Sequence, residues 1–370
     1  MVDLAGQYAR IKSEIDAAIS QVLRSTAFIQ GPEVKEFEAK LAAFTGSAHV
    51  ISCANGTDAL QLAMMALALK PGDEVILPVH TYVATAEVIA LLGLTPVFID
   101  VREDTFTLDV GQLESKITAK TKAIVPVHLY GQCADMGPLL DIAAKHKLFV
   151  IEDAAQSLGA RYLFPDKSSR CSGTLGHVGA TSFFPSKNLG CFGDGGALFT
   201  QDPALADQLR RMANHGQSAK YIHDSIGVNS RLDTLQAAIL QVKLKYLHEY
   251  EAARREAAGY YDEALKNLGW LKRPVRNARS THVFHQYTLR VLNGKRDDLK
   301  NYLQEKGIPS MIYYPVPLHR QKAYRQFVPQ GQVYPVTEQL SNQVLSLPIH
   351  TELTEDQLSY ICEVIRAFPA

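Results

Sequence analysis

The chain of 370 residues is 46% hydrophobic and 21% charged, the balance of a folded globular protein with room for about two domains, and not that of a disordered one. Its 38 basic and 38 acidic side chains cancel, so no long-range field selects nucleic acid or an anionic membrane, and any anion site has to be local. The five cysteines (Cys53, Cys133, Cys171, Cys191 and Cys362) are odd in number and lack CxxC or Cys/His spacing, which argues against a disulfide frame and against zinc.

The opening segment MVDLAGQYARIKSEIDAAISQVL sets apolar residues at helical intervals among charges, which predicts an amphipathic helix rather than a secretory signal. No window offers about 18 uncharged apolar residues, so no membrane span is expected and the cytoplasm is the expected location. GPEVKEFEAKLAAFTG reads as a second helix with Val34, Phe37, Leu41 and Phe44 on one face. In ISCANGTDALQLAMMALAL, a short strand or turn at Asn55-Gly56 leads into a helix whose first turn holds Thr57 and Asp58.

Strands then alternate with helices: EVILPV (74–79), TPVFIDV (95–101), KAIVPVHLY (122–130) and KLFVIEDAA (147–155), with ATAEVIALLG and MGPLLDIAAKH helical between them. Near-continuous Val/Ile runs separated by helices predict an α/β fold with a mostly parallel sheet covered on both faces. NSRLDTLQAAILQVKLKYL, from Asn229, reads as an amphipathic helix, and HEYEAARREAAGYYDEALKNL as a long polar-faced one. The domain crossing is expected near Lys245, giving a large domain over 1–245 and a smaller C-terminal α+β domain over 246–370. The latter holds VFHQYTLRVL as a strand, with RDDLKNYLQEKGI and ELTEDQLSYICEVIRAF as helices.

One lysine stands out. In SFFPSKNLGCFGDGG, Lys187 follows Phe183, Phe184 and Pro185 and precedes a glycine-rich turn. Apolar neighbours desolvate an amine, lower its pKa and free its lone pair for a carbonyl. Pyridoxal phosphate is such a carbonyl cofactor, and it requires a carboxylate beside its ring nitrogen and a cradle for its phosphate. Asp153 ends the strand FVIED, at the sheet edge where α/β proteins place their sites. The other reading of Asp153 is the N-cap of a helix over DAAQSLGA, and its neighbour Glu152 is the member of the pair expected to face solvent. Gly56 and Thr57 open a helix whose free N–H groups favour an anion, and the Ser182 hydroxyl reaches the same anion if the chain turns back before Lys187. No GxGxxG or GxxxxGK[ST] is present, which disfavours a nicotinamide dehydrogenase and a P-loop nucleotidase. No metal site is expected, and His80, His128, His215 and His285 are given no catalytic role.

The segments SCANGTDALQ, HTYVATAEVIALLG, HLYGQCADM, VIEDAAQSLGA, SFFPSKNLGCFGDGGA and GVNSRLDTLQAAIL together resemble the DegT/DnrJ/EryC1/StrS sugar aminotransferases over almost the whole chain. These are pyridoxal 5'-phosphate enzymes of fold type I, like aspartate aminotransferase. The resemblance implies that Lys187 carries the cofactor, Asp153 partners its ring nitrogen, Gln156 lies near its ring hydroxyl and Tyr82 stacks on its face. Gly56, Thr57 and Ser182 are implied at the phosphate, with Asn229 reaching the phosphate of a neighbouring subunit, so a homodimer with shared active sites is expected. Some relatives carry histidine in place of the lysine and act as dehydratases; Lys187 favours transamination and, with Asp153 and Ser182, argues against a non-catalytic regulatory or sugar-sensing relative.

The same resemblance implies L-glutamate as donor, leaving as 2-oxoglutarate, and a nucleotide-linked keto sugar as acceptor. ISCANGTDALQ, LYGQCADM, IEDAAQS and GVNSRLDTLQAAIL look closest to enzymes that aminate C3 of a UDP-2-acetamido-2-deoxy-3-oxo-hexuronate for surface polysaccharide, including lipopolysaccharide O-antigen. Arg231 is the nominated partner of the uronate carboxylate. Tyr313, Tyr314 and His319, in YYPVPLH, are the expected hydrogen-bonding partners of sugar or diphosphate oxygens on a loop fixed by Pro315 and Pro317. Tyr313 stands where those relatives carry histidine, which keeps a dTDP-, GDP- or UDP-linked 3-keto or 4-keto-6-deoxy sugar as the alternative acceptor.

Overall fold

In the computed structural model, which describes residues 1–370, two helices, α1 (Leu4–Ser25) and α2 (Pro32–Thr45), precede the first strand, β1 (His49–Cys53). Strands and helices then alternate as expected, except that β3 and β4 are joined without an α-helix: α3 (Gly56–Ala66), β2 (Glu74–Pro78), α4 (Ala84–Leu91), β3 (Thr95–Ile99), β4 (Thr121–Ile124), α5 (Met136–His146) and β5 (Phe149–Asp153). A hairpin, β6 (Arg161–Leu163) and β7 (Ser169–Cys171), leads to β8 (Val178–Ser182) and β9 (Gly196–Thr200). All of these except the hairpin join one seven-stranded sheet in the order β1-β9-β8-β5-β4-β2-β3. From β8 to β3 the pairings are parallel, and β9 alone runs against its neighbours β1 and β8. The α/β architecture with a mostly parallel sheet is therefore observed, and Val75, Ile76, Leu77, Val150 and Ile151 are buried on both of its faces.

Several boundaries differ from those the sequence predicts. The strand expected over 122–130 stops at Ile124: Pro126 cannot donate to the ladder, Val127 forms a single bridge to Asp153, and Leu129–Gly131 closes as a tight turn with Tyr130 at φ +60°. No helix forms over DAAQSLGA, so Asp153 caps nothing there. The helix expected from Asn229 begins at Thr234. This α7 (Thr234–Lys245) is also buried on more than one side, where an amphipathic surface helix was predicted. Ile239 and Val242 pack on Ile11 and Ile15 of α1, while Ala237 and Leu240 join Phe183 and Phe199 beneath the sheet. Before it come α6 (Pro203–Ala213) and a small hairpin, β10 (Gln217–Ala219) with β11 (Ile222–His223).

After Lys245 the chain continues in α8 (Leu247–Ala264) and builds a three-stranded antiparallel sheet from β12 (Leu271–Lys272), β13 (Tyr287–Val291) and β14 (Val344–Leu347). With α8, α9 (Arg296–Glu305) and α11 (Glu355–Arg366) this sheet encloses a second core around Tyr261, Leu289, Leu303, Leu345 and Ile365, while α10 (Pro335–Gln343) packs its Leu340 with Val101, Phe106 and Tyr130. One segment connects the two cores. Met311 exchanges backbone hydrogen bonds of 3.1 and 2.8 Å with Ser346 at the edge of the small sheet, whereas Leu318 is buried in the core beneath the large one. Residues 311–318 therefore form a strap across the carboxyl edge of the large sheet. No helix is long and apolar enough to cross a membrane.

Candidate active site

The chemistry-bearing residues converge where the carboxyl ends of β2, β5 and β8 meet, the position that doubly wound sheets use for ligands. Asp153, the last residue of β5, is only 7% exposed. Its backbone is held on both sides, its N–H donating to the Pro126 carbonyl at 2.9 Å and its carbonyl accepting from the His128 N–H at 3.0 Å. Its Oδ2 accepts a 2.7 Å hydrogen bond from the Thr85 hydroxyl in the first turn of α4, and its Oδ1 accepts one of 3.2 Å from the Ala155 N–H. Thr85 is fully buried and carries no role in the sequence reading, although it lies one helical turn from Tyr82.

Lys187 lies in the loop between β8 and β9, half-buried, with its backbone N–H on the Phe184 carbonyl at 2.8 Å. Burial lowers the pKa of its amine to about 8, and the charge of Asp153 opposes that shift. His285 is buried beside it, held neutral by burial and by the charges of Lys187 and Arg254.

At the other end of this site, Asn55 caps α3 through its side-chain oxygen, which accepts from the Asp58 N–H at 2.8 Å, while the Gly56 and Thr57 N–H groups emerge at the helix end. A Cβ on Gly56 would lie 2.7 Å from Ser182 Cβ, and one on Gly196 would lie 2.5 Å from the Asn55 carbonyl. Glycine thus lets the ends of β8 and β9 close on the start of α3, bringing Gly56, Thr57 and Ser182 together as a cradle for an anion.

Tyr82 is 56% exposed at the mouth of the site, its ring centroid 6.1 Å from that of Tyr314. Gln156 accepts from the Tyr130 N–H at 2.8 Å and donates to the Tyr314 hydroxyl at 3.2 Å. Tyr313 lies beside Tyr314 on the strap, their ring centroids 5.8 Å apart, and burial raises the pKa of its phenol.

Three of the expected residues stand apart. His319 is buried against the Tyr334 ring and shares a 3.1 Å hydrogen bond with Glu338, so its Nε2 is engaged by α10. Asn229 is exposed, bridging Asn214. Arg231 is half-buried and lines a cavity of about 470 Å³ with Gln30, Lys35, Arg210 and Asn214. Neither residue makes a hydrogen bond or ion pair with Asp153 or Lys187 of its own chain, although Ser230 between them accepts from the Ala54 N–H at 3.1 Å, just before α3. Glu152 also departs from expectation: it faces no solvent but is completely buried, bonded to His128 and to three backbone N–H groups.

The donor set matches the demands of pyridoxal phosphate: a buried carboxylate for a ring nitrogen, an amine of lowered pKa opposite it, and an anion cradle that glycine alone permits. No group of three or more His, Cys, Asp or Glu side chains could hold a metal ion. The sequence profile of the DegT/DnrJ/EryC1/StrS aminotransferase family matches residues 9–366. The chain is 49% identical over 364 residues, covering 98% of both chains, to the UDP-2-acetamido-2-deoxy-3-oxo-D-glucuronate aminotransferase of Pseudomonas aeruginosa. It is 46% identical to the UDP-N-acetyl-3-dehydro-alpha-D-glucosamine 3-aminotransferase of Acidithiobacillus ferrooxidans, covering 99% of this chain and 96% of the other. A crystal structure of a DegT/DnrJ/EryC1/StrS aminotransferase from Brucella abortus superposes with a TM-score of 0.94 at 47% identity, covering 99% of this chain and 98% of that one. The chain therefore belongs to the DegT/DnrJ/EryC1/StrS aminotransferase family, and its transaminase chemistry uses pyridoxal 5'-phosphate.

Proposed function

We propose that this aminotransferase moves the amino group of L-glutamate to C3 of a UDP-2-acetamido-2-deoxy-3-oxo-hexuronate. In this reading it is a cytoplasmic homodimer with shared sites that supplies surface polysaccharide such as lipopolysaccharide O-antigen. The observation that carries the chemistry is the apposition of buried Asp153 and the low-pKa amine of Lys187 at the carboxyl ends of β5 and β8. The acceptor is supported by the 49% identity to the P. aeruginosa uronate aminotransferase.

Pyridoxal phosphate, when bound, supplies an electron sink for the pair left as the donor's Cα–H bond breaks. Asp153, fixed by Thr85, presents a carboxylate that favours a protonated ring nitrogen. The Lys187 amine, close to half neutral at pH 8, accepts the proton from Cα of L-glutamate and holds it as an ammonium that Asp153 stabilises. Gly56, Thr57 and Ser182 hold the phosphate with Asn229 of a second copy of the chain, and Tyr82 covers the ring face. Arg231 pairs with the uronate carboxylate, and the phenols of Tyr313 and Tyr314 contact the sugar. With its Nε2 already on Glu338, His319 acts in this reading by anchoring the far end of their loop.

Tyr313 favours a second reading: its neutral phenol offers no charge to a carboxylate, which suits a dTDP-, GDP- or UDP-linked 3-keto or 4-keto-6-deoxy sugar. Absorbance spectra of the purified protein separate the two. Loss of the visible cofactor band with L-glutamate, and its return only with UDP-2-acetamido-2-deoxy-3-oxo-glucuronate generated in situ by its dehydrogenase, supports the uronate. Return with a neutral dTDP-3-keto-6-deoxy sugar instead moves the acceptor to the second reading. A protein that shows no band even with added pyridoxal phosphate overturns both.

A further inference from the structure

We propose that Tyr130 is the positioning residue that docks the 311–318 strap onto Gln156 and so sets the two phenols, Tyr313 and Tyr314, against the acceptor sugar. The proposal rests on the reading above in one respect, that these phenols face the sugar; the docking itself does not.

Every polar group of Tyr130 is spent on the mouth of the site. Its N–H donates to Gln156 Oε1 at 2.8 Å, and its carbonyl accepts from the Gln286 N–H at 3.1 Å. Its hydroxyl donates to the carbonyl of Tyr313 and lies 3.1 Å from His80 Nε2. Because the phenol proton is on the Tyr313 carbonyl, the phenol oxygen is the acceptor toward His80. Burial keeps His80 neutral, so its single N–H is on Nε2, and its Nδ1 is buried without a partner. The hydroxyl is therefore fixed from both sides within a pocket where Tyr130 is 2% exposed and its ring meets the edge of Phe106 at 5.3 Å.

These bonds determine what Gln156 can do. With its carbonyl oxygen occupied by the Tyr130 N–H, the amide can only turn its NH₂ to the Tyr314 hydroxyl, as it does at 3.2 Å. Residue 130 thus acts on the strap twice, through the tyrosine hydroxyl at the Tyr313 carbonyl and through its backbone N–H, by way of Gln156, at the Tyr314 phenol. The strap's ends are bound to different bodies, Met311 to the small sheet and Leu318 to the large core, and these two bonds tie the tyrosine pair between them to the large domain's sheet edge, while Gln321 holds the Val316 carbonyl at 3.2 Å. The residue also pays a conformational cost to stand here: φ +60° is the left-handed region that a bulky side chain rarely enters, and such backbones persist where the surroundings hold them.

Tyr130→Phe keeps the ring and removes only the hydroxyl, and it is tested in the holoenzyme on two independent readouts. Hydrogen exchange of peptides covering 311–318 is expected to quicken about tenfold, while peptides around Asp153 stay as in wild type. In spectrophotometric half-reactions, bleaching by L-glutamate is expected within about twofold of wild type, and KM for UDP-2-acetamido-2-deoxy-3-oxo-glucuronate to rise about tenfold. In a Tyr313→Phe background the same change should raise that KM less than about threefold, since the phenol whose backbone the hydroxyl pins is gone. Unchanged exchange over 311–318 overturns the docking. Faster exchange with an unchanged sugar KM overturns the link to the sugar, and equal losses in cofactor affinity and both half-reactions show a general structural role instead. If wild type itself fails to bleach with glutamate, the functional reading fails while the exchange result still decides the docking. If Tyr130→Phe does not fold, His80→Leu removes the other support of the hydroxyl and should quicken exchange over 311–318 about threefold; wild-type exchange there overturns the proposal.

Discussion

Thr85 and Asp153 form the innermost contact of the site: the threonine hydroxyl donates to Asp153 Oδ2 at 2.7 Å, with Thr85 completely buried and Asp153 nearly so. A hydrogen bond to a charged acceptor contributes about 1.5–3 kcal/mol, and here it restricts the carboxylate to one orientation. Thr85→Val keeps the shape of the side chain and removes the donor. The expected result is a Kd for pyridoxal phosphate raised roughly 10- to 100-fold in titrations of the apoprotein. Binding within twofold of wild type would mean that Asp153 needs no such support.

The amine of Lys187 gives a pH dependence whose sign is fixed by its cause. Burial lowers its pKa from 10.5 to about 8, so the rate at which apoprotein captures pyridoxal phosphate should rise with pH through a midpoint near 8. Asp153 opposes the shift, so Asp153→Asn should move that midpoint lower. Lys187→Met should abolish the covalent band and slow transamination at least about 10³-fold. Stability follows the same linkage: between about 8 and 10.5 the unfolded chain holds more protons than the folded one at Lys187 and at Lys243, which is also lowered to about 8. The five buried cysteines, whose thiols burial raises, act in the opposite direction over the same range, so the test is a difference: the urea midpoint of the apoprotein minus that of Lys187→Met should increase from pH 7.5 to 9.5. A midpoint for capture near that of an ordinary lysine would contradict the burial of the amine.

Gly56 tests the anion cradle. A Cβ there would meet Ser182 Cβ at 2.7 Å and its Cα at 3.3 Å, contacts that no flexible chain end can relieve. Gly56→Ala should weaken binding of pyridoxal phosphate about tenfold or more by pushing Ser182 away from the start of α3. Gly259, on the exposed face of α8 with open space around it, is the control: Gly259→Ala should leave binding alone and stabilise the protein by about 0.5–1 kcal/mol in urea melts. Equal cofactor affinity in the two variants would show that the Gly56–Ser182 contact has no part in the cradle.

The parallel strands were legible because each is an uninterrupted apolar run between helices, and Lys187, Asp153 and Ser182 because a strand end or a glycine turn marks them locally. The antiparallel insertion of β9 between β1 and β8 was not, since GALFT carries no sign of its neighbours. Nor does α7 show its burial: Gln241 and Lys243 read as a polar face, but Lys243 is buried with its amine on the Gly190 carbonyl, and Gln241 bonds the Glu33 carbonyl at 2.9 Å. The hydroxyls of Thr85 and Tyr130 and the imidazole of His80 meet partners 50 or more residues away, and Tyr130 stands in a backbone conformation that its residue type does not announce.

Glu152 is the clearest case of a residue whose surroundings the pattern could not give. It alternates with Asp153 along β5, so the two point to opposite faces of the sheet. In a half-exposed sheet the second face would be wet, but β5 is flanked by β4 and β8, and the far side of the strand is covered too. There the Glu152 carboxylate accepts from the N–H groups of Gly173, Leu175 and Gly176 at 2.9, 2.6 and 2.7 Å, and from His128 Nε2 at 2.8 Å. His128 Nδ1 accepts from the Ala134 N–H, which places the imidazole proton on Nε2, facing the carboxylate. Four donors thus converge on two oxygens, and an amide would set its own NH₂ against some of them. Glu152→Gln is expected to destabilise the protein by about 3 kcal/mol in urea unfolding, because buried donors lose a charged acceptor. The pH midpoint for cofactor capture should stay near 8, since the charge that acts on Lys187 is that of Asp153 and not Glu152. A stable Glu152→Gln protein would mean that the loop after β7 is held by its packing alone, and a shifted midpoint would mean that the network reaches the amine.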